Sequence, residues 1–189
     1  MKAQLTKIAF AAFLTTGLLT ACSKDDDIVE ENHEEVITTL KLTFTPVGGG
    51  TATNFQFRDP DGPGGAAPTQ DEIVLAPSKT YTVAVQLLNE THTPAEDITE
   101  EVEAEADAHR FYYQPSAGSN ITVNNLNNDA NGIPLGLTST WTTAAAANGT
   151  VKITLRHYPG NPPAKAAADA VDSNKSGTDV EVTFVAKVQ

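Results

Sequence analysis

From Val36 onward, apolar and polar side chains alternate with a period of two, the pattern of strands buried on one face. Leu40, Leu42 and Phe44 alternate with Lys41, Thr43 and Thr45, and Phe55 and Phe57 follow beyond Gly48, Gly49 and Gly50. Tyr81, Val83, Val85 and Leu87 form a second long run, Ile121 and Val123 a short one, and Leu137 to Thr143 carries Trp141. The clearest alternation sets Val151, Ile153 and Leu155 against Thr150, Lys152, Thr154 and Arg156, while Val180, Val182, Phe184, Ala186 and Val188 close the chain. With Ile73 to Leu75 and His109 to Gln114 these runs predict eight or nine short strands. Turn residues separate them, from Asp59-Pro60-Asp61-Gly62 to Pro159-Gly160-Asn161-Pro162, and Asn148-Gly149 between two alternating runs predicts a tight hairpin. Short strands at this spacing, without alternating helices, predict an all-β fold, an immunoglobulin-like antiparallel β-sandwich.

Pro94 to His109 breaks the alternation. Asp97 with Glu100 makes a capping-box-like start, and Ile98 with Val102 a small apolar face, so a short acidic helix is expected between two strands. Ala164 to Val171 reads as a mobile loop in preference to a second helix.

The first residues follow other rules. Lys2 and Lys7 precede a run of about a dozen apolar residues ending at Leu19, the layout of an export signal and too short to span a bilayer, which takes ~20. Leu19-Thr20-Ala21-Cys22 resembles the bacterial lipobox, which implies cleavage before Cys22 and lipid attachment to its thiol. Residues 1–21 are then a leader, 22–35 an acidic lipid-anchored tether and 36–189 the folded domain. Lipid chains contribute ~0.8 kcal/mol per buried methylene, so two or three of them hold a protein on a membrane durably. Ser23-Lys24-Asp25-Asp26-Asp27 resembles the acidic export signal of Bacteroidota surface lipoproteins, which implies an outer-membrane protein displayed at the cell surface.

The charge balance narrows the partners. A net charge of -12 and a pI near 4.6 argue against a nucleic-acid binder, which needs clustered Lys and Arg. The lone cysteine excludes an internal disulfide or a multi-cysteine metal site. No phosphate-cradling Gly-rich loop, Gly-x-Ser-x-Gly elbow or His-Glu-x-x-His motif is present, so the chain reads as a non-enzyme.

Two groups of residues could hold a cation. Glu105 and His109 are four apart and would share one face of a helix, His157 ends the best strand in phase with its buried residues, and His92 lies in the loop leading to the helix. Convergence of His92, Glu105, His109 and His157 would suit zinc or copper. More weakly, Asp59 with Asp61, and Asp129 with Asn131, place alternating oxygen donors before a glycine, as calcium loops require. The bland expectation for each is a turn, a strand end or a solvated face.

At Leu88-Asn89-Glu90-Thr91, Pro94 to Val102, Gly132-x-Pro134-Leu135-Gly136-Leu137 and Thr154-Leu155-Arg156-His157, the chain resembles small Bacteroidota outer-membrane lipoproteins. These are often labelled "type 1 periplasmic binding fold superfamily protein". The label points to paired α/β lobes, the alternation of this chain to β structure. The resemblance implies a companion of a TonB-dependent receptor. The function expected is therefore a non-catalytic surface lipoprotein that binds a small ligand or metal ion. The alternative is an adhesive or structural sandwich contacting proteins or glycans, whose histidines would not cluster.

Overall fold

The computed structural model describes residues 35–189. The expected leader, Cys22 and almost all of the tether lie outside them. Along the chain run β1 (Thr39–Pro46), β2 (Thr53–Arg58), β3 (Thr69–Gln70), β4 (Ile73–Leu75), β5 (Thr80–Asn89) and β6 (Glu96–Asp97). Helix α1 (Ile98–Ala104) follows, then β7 (His109–Pro115), β8 (Ile121–Asn124), β9 (Thr138–Thr143), β10 (Ala147–His157) and β11 (Gly177–Val188).

The strands form two sheets. The first has the order β3-β2-β1-β5-β9-β8, with β6 added at the end of β5, and the second the order β4-β11-β10-β7. Neighbours are antiparallel except β4, which lies parallel to β11. The described residues are thus all-β, a two-sheet sandwich with one short helix, and do not form the α/β lobes implied by the family label.

The alternation places the core as expected. Leu40, Leu42 and Phe44 of β1 and Val83, Val85 and Leu87 of β5 face Val151, Ile153 and Leu155 of β10 and Phe184 of β11 in one buried cluster. Each such side chain contributes ~1.5–3 kcal/mol through its removal from water. Phe44 stands edge-on to Phe55, Tyr81 and Trp141 at centroid distances of 5.5, 5.8 and 5.0 Å. Trp141 is fully buried, and its indole N–H is satisfied by Ser139 Oγ at 3.0 Å.

Three expectations change. Asn148-Gly149 is no hairpin: both residues lie within β10, and the turn of chain before it carries β9 of one sheet over to β10 of the other. Glycine is required there by close approach, because a Cβ would stand 2.6 Å from Ser116 Oγ and Ser119 Cβ. The helix is confined to Ile98–Ala104, capped by the Asp97 carboxylate accepting from Thr99 N, with Ile98 and Val102 buried. His109 is therefore not on the helix but begins β7.

The segment around Ala164 to Val171 is indeed not helical, yet it is fastened down. Arg110 stacks on the Tyr112 ring at 4.4 Å and donates to the carbonyls of Ala166, Ala167 and Asp169. Arg156 donates to the Ser173 carbonyl at 2.9 Å, and Lys165 is buried at the loop's start. Among the described residues no helix is long and apolar enough to cross a membrane.

Candidate metal centre

Antiparallel pairing of β7 with β10 sets Tyr113 opposite Ile153, Phe111 opposite Leu155 and His109 opposite His157. The two histidines thus continue the buried rows of their strands to the sandwich end, where α1 leads into β7. Their rings lie 4.5 Å apart between centroids and 33° from parallel. A tight turn after α1 does the rest. The Glu105 carbonyl accepts from Ala108 N at 2.9 Å and from His109 Nδ1 at 3.1 Å, which fixes the Glu105 backbone beside the His109 ring. One ligand atom from each of Glu105, His109 and His157 falls within 4.8 Å of the others, and this is the group of metal-ligating character among the described residues. Glu105 and His109 therefore meet as expected, but through a turn and a strand and not along a helix face.

The electrostatics suit a cation. Because a carbonyl only accepts, His109 must carry its proton on Nδ1, leaving the Nε2 lone pair as its metal-ligating atom. His109 is fully buried, and burial pushes its pKa down to about 4, against the raising effect of the Glu105 carbonyl. Burial lowers His157 as well, opposed by the Glu105 carboxylate. Both rings are thus neutral near pH 7. Among the described residues, neither His109 Nε2 nor His157 Nδ1 has a hydrogen-bond partner, although both atoms are shut from water. Such orphaned buried polar atoms are uncommon and call for an occupant.

Acidic groups surround the pair. Asp179 of β11, its side chain fully buried, brings Oδ2 to 3.8 Å from His109 Nε2. Glu35 is hydrogen-bonded to Glu101, one helical turn before Glu105, and burial together with the Glu101, Asp179 and Glu105 carboxylates pushes its pKa up to about 7. Sequence reasoning missed both residues. Asp179 is drawn in by an irregularity of β11, and Glu35 belongs to the stretch read as a solvated tether.

The other predicted residues are placed elsewhere. His92 is exposed, with Nδ1 3.7 Å from Glu96, and does not join Glu105, His109 and His157. Asp61 accepts from Ala66 N at 2.7 Å and so closes its own loop after Asp59, the expected turn role. Asp129 has a different cation from the calcium expected of it. Its Oδ2 lies 2.7 Å from Lys165 Nζ, both side chains being 1% exposed, while Oδ1 accepts from Asn131 N and Ile133 N. Burial works against the Asp129 charge, but the ammonium and these amides hold its carboxyl below the usual range. The same ammonium donates to the carbonyls of Ala106 at 2.6 Å, His109 at 3.0 Å and Pro134 at 3.4 Å. Lys165 thus stands where an ion would, and braces the turn that carries Glu105 and His109.

A groove of about 590 Å³ opens beside this turn, between Glu103 and Asp107 on one side and Asn127 to Asn131 on the other, but none of Glu105, His109 and His157 lines it. Comparison with protein-family models, curated proteins and solved structures finds no match to this chain.

Proposed function

We propose that the domain is a non-catalytic metal-binding module, held on the outer membrane by lipid at Cys22, that captures a divalent transition ion, zinc or copper, at Glu105, His109 and His157. One observation carries this reading: two neutral imidazoles, one buried and one half-buried, converge with a carboxylate within 4.8 Å, and His109 Nε2 and His157 Nδ1 lack hydrogen-bond partners among the described residues. Imidazole and carboxylate are the donors these ions take, at about 2.0–2.2 Å, and neutral imidazole binds without first losing a proton. The resemblance to Bacteroidota lipoproteins adds a role for the captured ion, as cargo for a TonB-dependent receptor.

The test is calorimetric titration of the mature chain with zinc and with copper, beside a His109→Ala, His157→Ala double variant. One ion per chain, bound tighter than roughly 10 µM and lost in the variant, is the expected result. Equal heats from both proteins would reject the metal reading and favour an adhesive or structural sandwich.

A further inference from the structure

A fourth group stands near His109 Nε2. Asp179 Oδ2 is 3.8 Å away, beyond hydrogen-bonding reach, and both side chains are fully buried. Two ligands held about 2.1 Å from one ion at the tetrahedral angle lie roughly 3.4 Å apart, close to this separation.

The backbone explains why an aspartate is there. Along β11, Leu155 pairs with Val180 but Arg156 with Thr178, so Asp179 is the extra residue of a β-bulge. Strict alternation from Val182 and Phe184, which point inward, would send Asp179 outward beside Arg156. The bulge breaks that phase and turns the carboxylate under the sheet end toward His109. Bulges commonly re-aim a side chain next to a functional site.

We propose that Asp179 is the fourth ligand of the ion, completing a closed set of two imidazoles and two carboxylates. This rests on the metal reading above and narrows it. A filled tetrahedron suits zinc, which has no geometric preference of its own, better than copper(II), which favours tetragonal sites. It also leaves no open position for a substrate, so the site holds an ion and does not activate water on it. Asp179 lies outside the group whose ligand atoms all fall within 4.8 Å of one another, so closing the set has to draw its donors together, and Glu105, exposed at the end of the helix, is free to move.

The experiment uses the full mature chain loaded with zinc or cobalt(II). Asp179→Asn, equal in size to the native residue, should weaken zinc at least tenfold in competition with a chromophoric chelator. It should also reduce the intense visible absorption that four-coordinate cobalt gives the native protein. X-ray absorption of the native zinc form needs no variant and should report four donors, two of them imidazole. An unchanged cobalt spectrum and zinc affinity in Asp179→Asn, or five or more donors in the native protein, overturns the fourth ligand while leaving the three-residue site standing. Failure of the native chain to bind zinc removes both.

Discussion

His109 owes its chemistry to what touches each side of its ring. The Glu105 carbonyl fixes the proton on Nδ1, and burial keeps the ring neutral, so Nε2 is prepared as a donor before any ion arrives. Glu35 is tuned in the opposite sense, its proton retained to about pH 7 by burial and neighbouring carboxylates. Their pH effects on stability oppose each other. Between about 4 and 6.5 the unfolded chain protonates its histidine while the folded His109 stays neutral, so stability rises with pH there. Between 4.5 and about 7 the folded chain keeps a Glu35 proton that the unfolded chain has lost, so stability falls with pH. Comparing native and Glu35→Gln proteins in chelator isolates the second effect. The variant should melt at the native temperature near pH 4 and progressively higher than native as pH rises to 7.5, whereas parallel melting curves across this range would remove the account of Glu35 given above.

Single elements carry less than their junctions do. Helix α1 is only seven residues long, below the length at which a helix is stable by itself, and persists because Ile98 and Val102 are buried under the sandwich end. The turn that follows matters more, for Lys165 gathers the carbonyls of Ala106 and His109 around one ammonium while Asp129 balances its charge. At the opposite end of β10, Gly149 allows the Ser116–Ser119 turn to pack onto the strand backbone. Gly149→Ala should destabilise the domain by about 1–3 kcal/mol through overpacking, read as a lower urea midpoint with an unchanged slope. Zinc affinity should be unaffected, since His157 lies eight residues away along the strand.

These junctions also mark where sequence reasoning stopped. The alternations of β1, β5, β10 and β11 were legible because a strand's period is set by its own residues. Asn148-Gly149 misled because the same dipeptide serves a tight turn or a close backbone contact, and only the neighbouring Ser119 distinguishes them. The phase of His157 with Leu155 was visible, as was the spacing of Glu105 and His109. The bulge at Asp179 was not, because it depends on the register of one strand against another.

For the whole molecule, one ion at the sandwich end would join β7, β10, β11 and the turn after α1. An ion that binds only the folded state at 100 times its Kd adds about 2.7 kcal/mol, or roughly 5–10 °C in Tm for a domain of this size. Zinc should therefore raise the melting temperature of the native chain reversibly with chelator, and leave His109→Ala, His157→Ala unmoved in a thermal scan.

The net charge of -12 takes on a different meaning at this scale. Along the chain the acids between Glu90 and Asp107 form one cluster; in space they separate. Glu90 pairs with Arg58, Asp97 caps the helix, Glu103 and Asp107 line the groove, and Glu101 and Glu105 gather with Glu35 and Asp179. By itself the sequence determined the strands, the short helix and the buried rows that end in histidine, because period and capping are local properties. Only the tertiary structure decided which acids meet which histidines, since that depends on strand register, on a bulge and on a buried lysine far away along the chain.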